Sequence, residues 1–242
     1  MEQETFVDKL PKMAAMNEPH LACVLLLDTS GSMSVAPKKD DPIPIDSLNQ
    51  ALQDFKRKVS LDELAQKRVD IAIIEFNSTA RVVQPFTPIS QMDPITLVAS
   101  GETVMGAGIN MAIDLVKERN RFYSQNGTPC FKPWIFMITD GTPTDAEVLE
   151  SARRRIQEEE NKGTHGKLKF FALGVSGYNK NTLFSLTKRV IELRDTNFSG
   201  IFNWMSESMV AISVSRVGDE APLPQLPENA RKADPNRNVS DW

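Results

Sequence analysis

The sequence predicts an α/β protein with a doubly wound, mostly parallel sheet, helices on both faces and one antiparallel edge strand. Three observations lead there. Apolar runs of strand length stop abruptly at polar turns, as in residues 21–27 before Asp28 and KPWIFMIT (132–139) before Asp140. Such continuous runs suit strands buried on both faces, as in a parallel sheet. Amphipathic segments of helical period lie between the strands, and that alternation implies parallel pairing through right-handed crossovers. A third run, VDIAIIEF (69–76), is followed by Asn77-Ser78-Thr79 and a strand-like stretch over 80–86, which reads as a hairpin and supplies the antiparallel edge.

In chain order, a leader (1–18) precedes a strand over about 20–27 and a loop rich in Pro, Lys and Asp (35–42). A helix then starts near Pro44, a residue suited to the first helical turn. Ile45, Leu48, Leu52, Phe55 and Val59 give it one apolar face. The stretch 87–102 is irregular and carries Pro88 and Pro94, and a helix begins near Gly106 with Ile109, Ala112, Ile113 and Val116 on one side. After the strand 132–139, Thr144 and Glu147 form a capping-box signature for a helix running to about Glu160. A strand over 168–175, a short helix over 180–187, a short strand over 190–193 and a last helix over about 200–215 complete the domain, 19–215. Ile201, Trp204, Met205, Met209 and Ile212 face inward from that last helix. The remainder, 216–242, is Pro-rich with few apolar residues and reads as a disordered tail. A linear docking motif anchored by Trp242 is the alternative.

Composition narrows the function. The 242 residues suffice for one domain with a sizeable core. A net charge of −4, with 40% hydrophobic and 25% charged residues, is ordinary globular composition without the basic stripe of a nucleic-acid binder. Cys23 and Cys130 read as buried free thiols in a reducing compartment, since two cysteines make no disulfide framework. The first residues resemble no secretory signal and no stretch approaches the ~20 apolar residues of a membrane span, so a cytoplasmic protein is expected. His20 and His165 are isolated and read as surface residues.

The chemistry concentrates where strands end. Past the first strand come Asp28, Ser30 and Ser32, a compact oxygen-rich turn at the place where open α/β sheets bind ligands. Thr103 lies in SGETVMGAG, a Gly-containing loop that opens a helix, and Asp140 ends its strand as Asp28 ends the first. Alone, each of these reads as a turn, cap or loop residue bonding its own backbone. Together they are an all-oxygen donor set with no thiolate or imidazole nearby in sequence. That set suits Mg²⁺, with Mn²⁺ as substitute and zinc disfavoured.

DTSGS resembles the D-x-S-x-S signature of von Willebrand factor A (vWA) domains, whose metal-ion-dependent adhesion site (MIDAS) is completed by a later Thr and a later Asp. The resemblance covers about 18–215 and implies a Rossmann-like three-layer sandwich. It implies that Asp28, Ser30, Ser32, Thr103 and Asp140 are the metal residues. The phrases LLLDTSGSMS, SLNQAL, SGETVMGAGI and ITDGTPTD look most like a bacterial cytoplasmic subgroup found with tellurite-resistance and stress-response systems. Glu102 departs from the pattern, standing where the family commonly has Gly and bringing an extra carboxylate near the metal.

The expected function is metal-bridged protein recognition: the bound cation lacks one anionic oxygen, which an Asp or Glu of a partner protein supplies. The resemblance also implies that the Thr142 to Asp145 loop and the last helix can shift on ligand binding. The enzyme alternative is an Mg²⁺-dependent phosphatase-like hydrolase with an aspartate nucleophile. Such enzymes need a second carboxylate two residues on, where this chain has Ser30, a poor general acid. No lysine stands out as a phosphate clamp, and GETVMGAG lacks the Gly-Lys-Ser/Thr ending of a Walker loop. A third reading is a scaffold with a vestigial metal site whose contacts are made by the tail.

Overall fold

Leu21–Asp28 forms β1, an interior strand of a seven-stranded sheet, and all eight of its residues are buried. Alternate side chains of a strand point to opposite faces. Leu21, Cys23, Leu25 and Leu27 accordingly enter one apolar core, and Ala22, Val24 and Leu26 enter the other. That division explains why the first strand reads as an unbroken apolar run. This computed structural model describes residues 17–162, 167–175, 177–219 and 221–234. His165, Trp242, residues 1–16 of the expected leader and the tail from 235 on lie outside the described residues.

The elements that follow are α1 (Pro44–Ser60), α2 (Ala65–Arg68), β2 (Val69–Phe76), β3 (Ala80–Pro88) and α3 (Met105–Gln125). After them come β4 (Trp134–Thr139), α4 (Ala146–Asn161), β5 (Lys169–Gly174), α5 (Lys180–Leu186), β6 (Val190–Leu193), α6 (Ser199–Ser213) and β7 (Ala230–Lys232). The sheet order is β3-β2-β1-β4-β5-β6-β7. Pairings β1–β2, β1–β4, β4–β5 and β5–β6 are parallel, and β2–β3 is the expected antiparallel hairpin. The five apolar positions of α1 are buried as the helical spacing requires, and Phe55 meets Phe202 of α6 edge-on with centroids 5.5 Å apart. The opposite face carries the buried side chains of α3, α4 and α5. Among the described residues no helix is long and apolar enough to cross a membrane.

The mostly parallel sheet with helices on both faces is the expected one, and the departures are in detail. The sheet has two antiparallel edges rather than one, because β7 pairs antiparallel with β6. That strand comes from the segment whose composition reads as disordered, and the described part of that segment is ordered. Its few apolar residues are enough because they land on an existing core: Ala221, Leu223 and Leu226 pack against it. Trp204 Nε1 donates to the Pro224 carbonyl at 2.8 Å. Prolines lack the backbone donor, so they suit a strap at the sheet edge and not a central strand.

His20 is also not a surface residue. It is buried at the amino end of β1, and its Nδ1 lies 2.9 Å from Asp70 Oδ2 on β2. Arg119 Nη2 donates to the same oxygen at 2.9 Å, Tyr123 Oη donates to it as well, and all four side chains are buried. The Arg119 guanidinium stands over the rings of Phe86, Phe122 and Tyr123 at 5.0 to 5.6 Å. Burial alone would push the Asp70 carboxyl up, but the His20 hydrogen bond and the Arg119 charge prevail and hold it below its usual value. Cys23 is buried and Cys130 half-buried, and both are free thiols.

Asp70→Ala leaves the Arg119 charge buried without its counter-ion, a change that costs about 3–5 kcal/mol in comparable cases. Chemical denaturation of the variant should show that loss at neutral pH, and a loss below about 1 kcal/mol would contradict it. A depressed carboxyl stabilises the fold above its unfolded pKa. The wild-type advantage should therefore shrink as pH falls through the carboxylate range.

Candidate metal centre

The register of β1 on β4 pairs Leu27 with Ile138, so Asp28 and Thr139 lie side by side at the carboxyl edge of the sheet and Asp140 follows one residue on. Asp28 is fully buried. Its Oδ1 accepts from the Ser30 backbone N–H at 2.8 Å and its Oδ2 accepts from the Thr139 hydroxyl. Ser30, extended and buried, precedes a short 3₁₀ turn (Gly31–Ser34) that swings Ser32 back over the strand ends. The Ser30 and Ser32 hydroxyls are 3.1 Å apart, and Ser32 Oγ donates to Asp140 Oδ1 at 2.7 Å. A continuous arc of oxygen atoms thus joins the two aspartate loops.

Thr103 arrives from the irregular segment before α3. That segment is stitched to the Asp28 turn by Ser100 N–H on the Thr29 carbonyl (2.8 Å) and Gly31 N–H on the Gly101 carbonyl (3.0 Å). Gly101 has φ +75°, and a Cβ there would sit 2.3 Å from Ser78 Oγ, so only glycine makes this approach. On the far side, a Cβ at Gly141 would lie 3.2 Å from Thr103 Oγ1 and 3.3 Å from Asp28 Oδ2. Thr103, Asp28 and the Asp140-Gly141 turn therefore close on a single spot. The Thr103 carbonyl also accepts from Thr144 N–H at 2.9 Å.

All five residues singled out in the sequence come together here. Asp28, Ser30 and Thr103 are buried, whereas Ser32 is exposed and Asp140 half-buried, so the cradle opens to solvent on the Ser32–Asp140 side. Glu102 is exposed, with its backbone N–H on Ser78 Oγ at 3.0 Å. Burial pushes the Asp28 carboxyl up to about 6, against the hydrogen bonds from Ser30 and Thr139, and the Asp140 charge adds to the rise. Burial raises Asp140 too, opposed by the Ser32 hydrogen bond. Two partly desolvated carboxylates facing neutral hydroxyls form a negative spot whose charge a hard cation would neutralise. Among the described residues no three His, Cys, Asp or Glu side chains cluster, so such a cation would depend on hydroxyl and water oxygens.

A family model for the von Willebrand factor type A domain matches residues 23–143, half of the chain. The chain belongs to the von Willebrand factor type A family. Solved structures agree on the fold of this vWA chain. PilB minor pilin from Streptococcus sanguinis superposes with TM-score 0.56 at 12% identity, over 80% of this chain and 62% of that one. Proximal thread matrix protein 1 from the mussel byssus gives TM-score 0.52 at 15% identity, over 89% of this chain and 49% of that one. A structure of the same byssus protein with a zinc-occupied MIDAS motif gives TM-score 0.50 at 13% identity, over 79% and 48% of the two chains. The vWA chain thus spans about half the length of the byssus protein. No curated protein is similar enough in sequence to count as a relative.

Four contributors to the site escape sequence reasoning. Thr139 holds Asp28 from inside an apolar strand, and only its place at the strand end hints at it. Ser78 and Asn77 look like plain hairpin-turn residues, yet Ser78 supports the Glu102 backbone and the Asn77 carbonyl accepts from Val104 N–H at 2.8 Å. The capping box does not form either. Asp145 occupies the N-cap of α4 without capping it, and its carboxylate instead accepts from Gly106 N–H (3.1 Å) and Ala107 N–H (2.9 Å) in the first turn of α3. One carboxylate thereby ties the Thr103 side of the site to the Asp140 side.

Asp145→Ala should cost about 0.5–2 kcal/mol, as removal of a helix-capping carboxylate does. Hydrogen exchange should show the Gly106 and Ala107 amides losing protection ahead of the rest of α3. Unchanged protection at those two amides would refute the cross-cap.

Proposed function

We propose that this vWA domain is a metal-dependent protein-interaction module. Asp28, Ser30, Ser32, Thr103 and Asp140 would hold one divalent cation, Mg²⁺ by the all-oxygen donor set and Mn²⁺ as its substitute. When bound, the cation supplies a positive position on the open side of the cradle that a carboxylate of a partner protein completes. The observation that carries the reading is the arc Ser30–Ser32–Asp140 closing on buried Asp28 and Thr103, with Ser32 exposed and Asp140 half-buried. In this chain the buried hydroxyls and Asp28 set the floor, while Ser32 and Asp140 face the partner. The zinc-occupied motif of the byssus protein keeps zinc among the cations to be compared. The phrases shared with the tellurite-resistance and stress-response subgroup favour a bacterial, cytoplasmic setting as part of the same proposal.

A non-enzymatic role fits the side chains better than phosphoryl transfer. Ser30, two residues past Asp28, is engaged with Ser32 and offers no carboxylic acid to protonate a leaving group. Hydrolysis of an aryl phosphate should stay at background with or without Mg²⁺.

Affinity capture from a native lysate, run in Mg²⁺ and in EDTA, tests the bridge. Capture should vanish in EDTA and with Asp28→Ala, while circular dichroism shows the fold intact. Capture that survives chelation would reject the reading. A pH series adds a second check. With the Asp28 carboxyl raised to about 6, its charged form costs stability above that pH, and a cation offsets the cost. The Mg²⁺-induced rise in melting temperature should be full near neutral pH and fade as pH falls through about 6. An undiminished rise near pH ~5 would contradict it.

A further inference from the structure

At the opposite end of the sheet, the strap before β7 roofs a cavity of about 740 Å³ against α6 and the amino ends of β5 and β6. Five cations line it (Lys169, Lys188, Arg189, Arg231 and Lys232), and no aspartate or glutamate does. The lining is therefore basic, although carboxylates just outside it answer part of the charge. The cations differ in how they are held. Arg189 is braced by Glu160 at 2.6 Å and Arg231 by Glu192 at 2.8 Å, so both guanidinium groups are fixed in place. Lys188 is exposed beside them and has no carboxylate partner among the described residues.

The floor is apolar. Phe171 and Trp204 line it from the core, and Leu223 and Leu226 line it from the strap. The Trp204 N–H is already given to the Pro224 carbonyl, so what the indole offers a ligand is hydrocarbon. The volume falls within the ~300–1,000 Å³ typical of small-molecule sites, which pair an apolar lining with a few placed polar groups.

From this juxtaposition we infer that the cavity is a binding site for a small amphipathic anion, with an apolar body on the Phe171–Trp204 floor and a phosphate or carboxylate head among Lys188, Arg189 and Arg231. The site is separate from the metal cradle, since it lies at the amino ends of β5 and β6 and the cradle lies at the carboxyl ends of β1 and β4. It therefore works without a divalent cation.

Isothermal titration calorimetry in EDTA, on the full chain, tests the assignment with four probes. Naphthyl phosphate and naphthoate carry both features, naphthol only the body, and inorganic phosphate only the charge. At least one of the two amphipathic anions should bind saturably at one site, about tenfold more tightly than naphthol or phosphate. The stronger of the two identifies the head group. Lys188→Glu, an exposed change checked by circular dichroism, should weaken binding about tenfold, with Lys188→Arg restoring it and Asp28→Ala leaving it unchanged. Four results would overturn the inference: no binding of either anion, equal binding of phosphate or naphthol, insensitivity to Lys188→Glu, or loss with Asp28→Ala. Displacement of naphthyl phosphate by a short acidic peptide of higher affinity would reassign the cavity to peptides and overturn it as well.

Discussion

The parallel pairing of β1 with β4 is the constraint from which the candidate site follows. Because Leu27 stands opposite Ile138, the two chains leave the sheet at the same level, and their next residues present Asp28, Thr139 and Asp140 at one edge. A shift of one residue would turn every side chain of β1 to the other core and take Asp28 away from Thr139. The apolar division of β1 between two cores forbids that shift. The hydrophobic pattern that stabilises the sheet is thus also what sets the position of the carboxylates.

Burial then gives those carboxylates their character. Asp28 has no exposure, so its charge is answered by the Ser30 amide and hydroxyl, the Thr139 hydroxyl and whatever occupies the cradle. In a lower dielectric an unanswered carboxylate is costly, which is why its carboxyl rises toward neutral pH. Asp145 and Ser78 do not face the cradle, yet they hold its loops to α3 and to the β2–β3 turn. Three loops distant in sequence are locked together by backbone hydrogen bonds, leaving the two outermost oxygen donors, on Ser32 and Asp140, at the solvent side.

Much of this was legible beforehand. Strands buried on both faces announce themselves as apolar runs, and the carboxyl edge of such a sheet is where its ligands bind. Helical spacing identified the inward faces of α1, α3 and α6 because burial on those helices is one-sided. What stayed hidden depends on contacts between distant segments. His20 and Asp70 are 50 residues apart, and nothing local marks them as partners. The ordered strap was hidden because Pro-rich composition speaks to how little a segment can bury by itself, not to the Trp204 surface waiting for it. Thr144 and Glu147 satisfied a local capping rule, but Asp145 made a tertiary bond to α3 instead, and tertiary contacts override local preference.

The most direct measurement is an anomalous difference map from crystals of the wild-type chain grown with MnCl₂. The account predicts one manganese peak enclosed by oxygens of Asp28, Ser30, Ser32, Thr103 and Asp140, at the ~2.0–2.2 Å distances of an octahedral oxygen site. A map with no peak in that cradle, or with manganese bound only elsewhere on the molecule, would contradict it.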